Sequence, residues 1–502
     1  MKKFILLAIL IPSAIFAIAQ KTITGTVLDE NSSAPLQGAT VMAKESKVTT
    51  QTDQNGLFSI KITGTEKKLV ISYTGFEPKE VPADALKVIT IRLEKSGFLN
   101  EVSVIGSRNL IRTKVETPAP IDIIPVNRII NQVGQIDINQ LLTYVAPSFQ
   151  SSRQTVSDGT DHVDPAQLRG LGSDQVLVLI NGKRRHQSAL VNVNGTVNRG
   201  QTGTDLSSIP VTAVERIEVL RDGAAAQYGS DAIAGVINIV LKKNANGLSG
   251  MVSYGENSTS YPKDYALNKI AGKNPNEKTN VTDGGNFQAA LNYGISLNKK
   301  GFLNLTGEYI KRDLTNRTGT YTDQIYPSAG GKVKDDSIMA ARGTNRNNFD
   351  MRIGNSKMTG GSLMLNSQYN FTDKWKLQLF GGYSKKNGEA AGFFRYPNTV
   401  FSGAGSLYRD QALAKYPEGF LPLIKTAIRD ISFSTSLLGK LGLWNVSLSN
   451  TFGVNNLAYT VDNSVNYTQY ALGSNVQTKF DAGAISFLQN TVNADVTRNF
   501  AV

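Results

Sequence analysis

The sequence predicts a mainly β protein in three parts: a small β-sandwich, an α+β domain, and the first portion of a transmembrane antiparallel β-barrel. Residues 21–96 contain short strands with apolar residues at alternate positions, as at Ile60 and Ile62. Residues 114–245 combine an amphipathic helix with apolar strands. Residues 246–502 contain long alternating runs with short turns at one end and long polar connections at the other, which is typical of a membrane barrel.

The first twenty residues have the pattern of a secretory signal peptide. Lys2 and Lys3 precede a short apolar run, and Ala17-Ile18-Ala19 supplies a small-x-small cleavage pattern. The run is short for a spanning helix, and no later stretch approaches eighteen uninterrupted apolar residues. We therefore expect an exported protein without a membrane helix, from which residues 1–20 are removed.

Residues 21–96 carry the motifs of a known small β-sandwich. The segments "ITGTVLDENSSAPLQGATV", "TDQNGLFSI" and "YTGFE" resemble the carboxypeptidase regulatory-like domain, which implies an Ig/transthyretin-like sandwich. Asn55-Gly56 favours a tight hairpin at residues 53–56. A calcium loop is the alternative, but the remaining carboxylates that calcium needs are missing.

Residues 97–113 form a polar linker around one short extended segment. Such a segment can add as a strand to the sheet edge of another protein through its backbone. It resembles the TonB box of TonB-dependent receptors, where the TonB protein binds. The residues of this predicted box are Glu101, Val102, Ser103, Val104, Ile105 and Gly106.

Residues 114–245 resemble the plug domain of the same receptors along nearly their whole length. "DINQLLTYVAPSF" predicts a helix that ends before Pro147, and "AQLRGLGSDQVLVLINGKRR" and "AVERIEVLRDGAAAQYGSDAIAGVINIVLKK" follow in the family's order. Asp222-Gly223-Ala224 stands where Gly-Pro-Ala is commoner. The plug-signature positions are Gly170, Gly182, Gly223, Tyr228, Gly229, Gly235 and Asn238.

The Gly- and Ala-rich stretch between the last two plug strands suggests a compact, rearrangeable surface inside a barrel. A phosphate cradle is the competing idea, but no Gly-x-x-x-x-Gly-Lys-Ser/Thr motif is present. Glu215, Glu218 and Asp222 could suggest paired-carboxylate hydrolysis. Because they lie in or beside a patterned strand among arginines, we expect structural pairing and no enzymatic activity.

The last part predicts strand pairs with one apolar and one polar face. In "NFQAALNYGISL" the residues Leu291 and Tyr293 share a face, and Gln288 and Asn292 lie on the other. Two further pairs flank short turns, and long connections cover roughly residues 312–360 and 387–429. A soluble β-helix or sandwich stays open on this pattern alone. Aromatic residues near strand ends predict interfacial girdles: Tyr309, Tyr369, Trp375, Tyr383 and Trp444.

The number of strands is small for a plugged barrel. We count about eight strands of about ten residues, whereas plugged outer-membrane transporters have about 22 strands. The chain also ends in "RNFAV", without the terminal aromatic residue that such barrels usually present. We therefore expect the 502 residues to be a fragment of a longer receptor.

Composition argues against several other classes of function. The net charge is +13, but the cations are scattered and no base-reading motif occurs, so we expect no nucleic-acid partner. The chain has no cysteine, which excludes disulfides and thiolate metal sites. Its two histidines, His162 and His186, are not at ligand spacing, so we expect neither a metal site nor a cofactor.

The resemblance implies an importer in the outer membrane of a Gram-negative bacterium, with the N-terminal domain in the periplasm. Its implied partners are the TonB–ExbB–ExbD complex, outer-membrane lipid and a scarce nutrient such as a ferric siderophore or similar metal chelate. A glycan importer that works with a surface lipoprotein is the alternative, and "DAIAGVINIV" favours the siderophore and vitamin branch. A non-transporting surface adhesin is a third class.

Two arginines match positions where the family keeps plug–barrel ion pairs. Arg169 and Arg221 each follow an apolar run and precede a glycine-bearing turn. The resemblance implies that they latch the plug onto glutamates late in the barrel wall. We expect those partners to lie beyond Val502, so that neither arginine meets a carboxylate on a barrel strand here. The alternative is that both are solvated arginines at strand ends.

Overall fold

The computed structural model describes residues 20–30, 33–63, 68–73, 76, 78–83, 89–93, 121–126, 129–130, 137–164, 166–193, 195–221, 228–298, 300–326, 332–398 and 412–498. The described residues up to Leu93 form one compact unit, and those from Ile121 onward form a second. Strands dominate both units, which confirms the mainly β prediction. Within these residues, no helix combines the length and the apolar character needed to cross a membrane.

The first unit is a two-sheet sandwich, as predicted. Its strands are β1 (Gln20–Asp29), β2 (Thr40–Ala43), β3 (Thr49–Gln51), β4 (Leu57–Thr63), β5 (Lys68–Ser72), β6 (Lys79–Pro82) and β7 (Ile89–Leu93). One sheet has the order β4-β1-β7 and the other β3-β2-β5-β6. Apolar residues at alternate positions, including Ile23, Ile60 and Ile71, form the core between the sheets.

The turn at residues 53–56 differs in role from the predicted hairpin. The Asp53 carboxylate accepts the backbone N–H groups of Asn55 and Leu57, both at 2.8 Å, and Gly56 has φ +72°. However, β3 pairs with β2 while β4 pairs with β1. The turn therefore connects the two sheets of the sandwich, and the hairpin prediction is wrong.

The predicted plug forms a five-stranded mixed sheet. The elements of the plug, in chain order, are β8 (Ile121–Pro125), α1 (Ile138–Val145), β9 (Phe149–Gln150), β10 (Gln167–Leu168), β11 (Val176–Ile180), β12 (Lys183–Arg184), β13 (Val214–Leu220) and β14 (Gly235–Leu241). The sheet order is β12-β11-β14-β13-β8, with β11 parallel to β14. Asp137 caps α1 by accepting the N–H of Gln140 at 2.8 Å, and Leu141 and Leu142 are buried against the sheet.

The last part forms one eight-stranded antiparallel sheet, in which each strand pairs with the next in sequence. Its strands are β15 (Gly247–Tyr261), β16 (Thr279–Ser296), β17 (Gly301–Arg312), β18 (Lys357–Asn370), β19 (Trp375–Ala391), β20 (Leu423–Leu441), β21 (Trp444–Asp462) and β22 (Phe480–Thr497). Two helices, α2 (Tyr265–Ile270) and α3 (Lys332–Ala341), lie in the long connections. We call this sheet the wall.

The wall strands are longer than predicted. They contain 12 to 19 residues instead of about ten, because the alternating pattern continues past the apolar segment into the long connections. The connection between β19 and β20 therefore covers residues 392–422, a shorter stretch than the predicted 387–429. The short connections between β16 and β17, between β18 and β19 and between β20 and β21 all lie at one end of the sheet.

The two faces of the wall reverse the usual order of a soluble protein. Leu291 is 61% exposed, whereas its neighbour Asn292 is only 3% exposed. The same holds along the sheet: the exposed face carries large apolar side chains, and the face toward the plug carries buried polar ones such as Thr306, Asn366 and Ser434. This pattern is that of a transmembrane β-barrel wall, as predicted.

Candidate functional site: the contact between plug and wall

Part of the predicted site lies outside the described residues. The whole predicted TonB box, residues 101–106, belongs to this part, and so does Gly223. The other signature glycines stand at turns in the left-handed region, with φ +71° at Gly170, +78° at Gly182 and +91° at Gly229. Gly235 has φ +143°, and a Cβ there would lie 2.5 Å from a backbone oxygen.

The remaining signature residues hold the plug together internally. Gly182 donates its N–H to Asn238 Oδ1 at 2.9 Å, and Asn238 Nδ2 donates to Glu218 Oε2 at 2.9 Å. Glu218 is fully buried and also accepts Arg216 Nε at 3.0 Å. Tyr228 packs, partly buried, against an apolar cluster of the plug. Glu218 is thus structurally paired, as the sequence led us to expect.

The two predicted latch arginines contact each other within the plug. Arg169 donates to the backbone carbonyl of Arg221, and Arg221 Nη2 pairs with Asp122 Oδ1 at 2.7 Å. Asp122 lies on β8, inside the plug. The side chains of Arg221 and Asp122 are 37% and 32% exposed, so this pair is a partly solvated one. The pairing of these arginines with a wall carboxylate stays a prediction.

The structure instead reveals a buried ionic contact that the sequence did not suggest. Arg185 Nη2 pairs with Asp430 Oδ1, and His186 Nε2 lies 2.9 Å from Asp430 Oδ2. Asn455 Nδ2 donates to the same Oδ2 at 2.9 Å, and Arg185 also donates to Ser208 Oγ at 3.0 Å. Arg185 and His186 follow β12 in the plug, while Asp430 lies on β20. We call this set the Asp430 centre.

A second buried ion pair has the opposite polarity. Lys386 of the wall strand β19 pairs with Asp205 of the plug at 2.7 Å and also donates to Ser207 Oγ. Asp205 precedes a short 3₁₀ helix, Leu206–Ser208, and accepts the N–H of Ser207 at 3.1 Å. The side chains of Lys386 and Asp205 are almost fully buried. Removing either partner would leave an uncompensated buried charge.

Both histidines of the chain lie against glycines of the wall. A Cβ built on Gly388 of β19 would come within 2.2 Å of the His162 ring, and one built on Gly453 of β21 within 2.1 Å of the His186 ring. His162 Nδ1 also lies 2.8 Å from Thr426 Oγ1. Only glycine leaves room for the imidazole ring at these two positions of the wall. We call Gly388 and Gly453 the glycine seats.

Burial keeps both histidines neutral at physiological pH. Together with the nearby Lys386 ammonium, it lowers the pKa of His162 to about 3. Burial and the neighbouring Arg185 also lower the pKa of His186, although Asp430 acts in the opposite direction. In the neutral form, His186 donates its Nε2 proton to Asp430 and requires no second countercharge.

One sequence signal could have identified the wall side of this contact. Asp430 lies an even number of positions from Thr426 and from Ser434. Alternation alone therefore places its side chain on the same polar face of β20. No local pattern marks Arg185 or His186 as its partners, because they lie more than 240 residues away in sequence.

Comparison with protein families assigns the plug and the sandwich. Residues 113–236 match the TonB-dependent Receptor Plug Domain, and residues 23–104 match the CarboxypepD_reg-like domain. The chain thus contains a TonB-dependent receptor plug domain. The second match continues past Ser96, where we expect the sandwich to end, and includes the first residues of the predicted TonB box.

Several known receptors share part of this sequence. The TonB-dependent receptor P39 of Formosa agariphila is 30% identical over 237 residues, which are 46% of this chain and 21% of that receptor. The "Probable TonB-dependent siderophore receptor PirA" of Acinetobacter baumannii is 40% identical over 97 residues, 19% of this chain and 12% of that receptor. The vitamin B12 transporter BtuB of Vibrio vulnificus is 36% identical over 102 residues, 20% of this chain and 15% of the transporter.

Solved receptor structures are also similar over part of their length. The siderophore receptor PirA from Acinetobacter baumannii gives a TM-score of 0.44 at 19% identity, covering 74% of this chain and 44% of that chain. The ferric-catecholate import receptor Fiu from E. coli K12 gives 0.36 at 13% identity, covering 71% and 51%. The chain thus spans about half the length of these structures and about a fifth or less of the curated relatives.

Proposed function

We propose that the full protein is an outer-membrane importer that binds a ferric siderophore or a similar metal chelate and carries it into the periplasm with energy delivered by TonB. In this proposal the N-terminal sandwich lies in the periplasm and residues 101–106 are the TonB box. The names of two relatives support this substrate class: one is a probable siderophore receptor and the other a vitamin B12 transporter.

The observation that supports transport most directly is the chemistry of the plug–wall contact. Its charged part consists of hydrogen bonds and ion pairs, including the Asp430 centre and the Lys386–Asp205 pair. Water can replace each of these bonds when the plug moves. Apolar contacts accompany them, made by the wall residues Met364, Phe380, Ile428 and Leu457. Movement of the plug would therefore exchange the polar bonds for water and expose these four side chains.

The wall fits the same role because its two faces suit different solvents. Apolar side chains on the outer face suit lipid, while the polar inner face would line an aqueous path once the plug moves. No bond of the nutrient is made or broken in such a cycle, so transport requires no catalytic group. In the part of the chain that the structure describes, no cluster of three His, Cys, Asp or Glu residues could hold a metal ion.

Growth of a deletion strain tests the proposed substrate class. We expect the strain to lose growth when a ferric siderophore is the only iron source, and to grow normally on cobalamin and on glycans. A defect restricted to glycans would replace the proposal with the glycan importer. If the strain shows no defect on any nutrient but loses surface attachment, the adhesin class is favoured.

Backbone pairing of residues 101–106 can be tested separately. Val104→Pro removes a backbone N–H from the segment and should abolish uptake while leaving nutrient binding intact. Val104→Ala keeps the N–H group and serves as the matched control, with uptake near that of the unaltered receptor. Normal uptake in the proline variant would contradict the TonB-box assignment.

A further inference from the structure

The outer face of the wall contains an open groove of about 530 Å³ on strands β17 to β19. Gly361 lies at its floor, and Tyr309 and Tyr383 project at its sides, 48% and 39% exposed. Leu363 bounds it toward the middle of the wall, and Lys385 lies directly opposite Gly361 in the ladder. The groove therefore has an apolar end toward the middle of the wall and a cation beside its floor.

The glycine at the floor is not required by the fold. A Cβ built on Gly361 would meet its nearest atom, the backbone oxygen of Glu308, at an ordinary 3.6 Å. Its φ is also outside the left-handed region, since Gly361 is absent from the residues with positive φ. Any larger side chain here would fill the groove, so the absence of a side chain is what keeps the groove open.

Two unpaired cations face each other beside the groove. Lys385 of β19 is directly opposite Arg429 of β20 in the ladder, and both side chains are exposed. Like charges directly opposite one another are destabilising, at a Cβ separation of about 5 Å. Toward the long connections, by contrast, Lys425 pairs with Asp462 at 2.6 Å and contacts Glu389 at 3.7 Å. Among the described residues, no ion pair involves Lys385 or Arg429.

The position of these cations along the strand corresponds to the edge of a membrane. Ten residues separate Trp375, at the short-turn end of β19, from Lys385. At about 3.3 Å per residue and a tilt of about 40°, this is about 25 Å across the bilayer, the height of the apolar band of a membrane barrel. The side chains between them on this face include Leu377, Leu379 and Tyr383. Lys385 and Arg429 would therefore lie at the level of the lipid headgroups.

We propose that this groove binds an anionic lipid of the outer leaflet, with one acyl chain running from Gly361 toward Leu363 and the headgroup phosphate between Lys385 and Arg429. Phosphate supplies the missing countercharge, and the two tyrosines flank the acyl chain near the interface, where amphipathic rings are favoured. The inference rests on the membrane location in the proposed function. It does not depend on which nutrient is carried.

Lipid retention by the full-length receptor tests the site. The receptor, purified in a neutral detergent, is mixed with equal amounts of phosphatidylglycerol and phosphatidylcholine of identical chains, and bound lipid is counted by native mass spectrometry. We expect retention of phosphatidylglycerol over phosphatidylcholine by at least about fivefold for each cation engaged. The double variant Lys385→Gln/Arg429→Gln should bring the ratio close to one.

Two further variants separate the groove from a general charge effect. Lys440→Gln removes a cation at the opposite end of β20 and should leave the ratio unchanged. Gly361→Leu keeps both cations but fills the floor, and it should lower phosphatidylglycerol retention severalfold, with an unchanged circular dichroism spectrum.

Equal retention of both lipids by the unaltered receptor, or an unchanged ratio in the double variant, would overturn the proposal. Displacement of the lipid by millimolar inorganic phosphate would show a plain anion site instead. Membrane fractionation of the same receptor tests its location independently.

Discussion

The sandwich and the wall are built from the same alternating pattern but bury opposite faces. In the sandwich, Ile60 is 1% exposed and lies in an apolar core between two sheets. In the wall, Leu291 is 61% exposed, and the buried neighbour is Asn292. Alternation therefore specifies that a strand has two different faces, while the surroundings decide which of them is covered. In the proposed membrane location, lipid on one side and the plug on the other reverse the choice that water and a second sheet impose.

This difference also changes what a buried residue contributes. Each buried side chain of the sandwich contributes through the transfer of apolar area from water. The buried charged side chains of the wall, Lys386 and Asp430, contribute only when their partners in the plug are in place, because an unpaired buried charge is costly. Substitutions in the two regions should therefore fail in different ways.

The largest effect is expected for Asp430→Ala. The variant leaves the Arg185 guanidinium buried without a countercharge and removes the acceptor of His186, at a cost of about 3–5 kcal/mol. Because the cost arises where the plug meets the wall, we expect the plug to become accessible to protease while the strands of the wall persist. Limited proteolysis with mass spectrometry of the fragments measures this.

Two variants control for loss of charge alone. Asp462→Ala breaks a pair with Lys425 in which both side chains are about a third exposed, and Arg221→Ala breaks a similarly exposed pair with Asp122. Each should cost no more than about 1 kcal/mol. If Arg221→Ala released the plug as strongly as Asp430→Ala and raised antibiotic leakage, the latch predicted from sequence would be the main one.

The sequence predicted the three parts and the polar face of the wall, but not the contact between plug and wall. Local periodicity, which acts over a few residues, predicts helix α1 and the plug strands. It also predicts that Gln288 and Asn292 lie on one polar face. The Asp430 centre depends on side chains that approach only after the plug has entered the barrel. Gly453 illustrates the same limit. In the sequence, a glycine within a strand indicates only lower stability of that strand, whereas its close approach to the His186 ring is visible only in the folded structure.

A direct contrast between the two regions is expected from matched truncations. Ile60→Ala creates a cavity in the sandwich core and should cost about 2–4 kcal/mol. Leu291→Ala removes a similar side chain from the exposed face of the wall and should cost less than about 1 kcal/mol in detergent. Hydrogen exchange of the two variants, read separately in the sandwich and the wall, compares them. A larger loss at Leu291 would show that its face is covered by protein.

The glycine seats should tolerate even one added carbon poorly. Gly453→Ala places a Cβ against the His186 ring, and overpacking of this kind costs about 1–3 kcal/mol. Gly255→Ala is the matched control, since a Cβ there meets nothing within 4 Å. Combining Gly453→Ala with His186→Ala should recover part of the loss, which a double-mutant cycle on plug protection would detect. Purely additive effects would show that the glycine and the imidazole are not coupled.

The smallest effect is the loss, in mild acid, of the contribution that His162 makes to plug stability. The pKa of buried His162 is about 3, below the ordinary 6.5, so the unfolded plug takes up a proton at higher pH than the folded plug. The contribution of His162 is therefore fully present above about pH 6.5 and is lost progressively as the pH falls toward 3. At pH 5.5 the loss is about 1 kcal/mol for this one group.

The sandwich contains neither histidine, which makes it an internal reference. Burial also raises the pKa of Asp164 in the plug to about 7, so protonation of Asp164 acts in the opposite direction over this range. The contribution of His162 is therefore measured as the difference between the unaltered chain and His162→Gln, by hydrogen exchange of plug amides at pH 7 and pH 5.5 corrected for the intrinsic rate. The unaltered plug should lose more protection, or gain less, than the His162→Gln plug, while sandwich amides behave alike in both chains. Identical pH dependence of the two plugs would show that the seated imidazole contributes nothing.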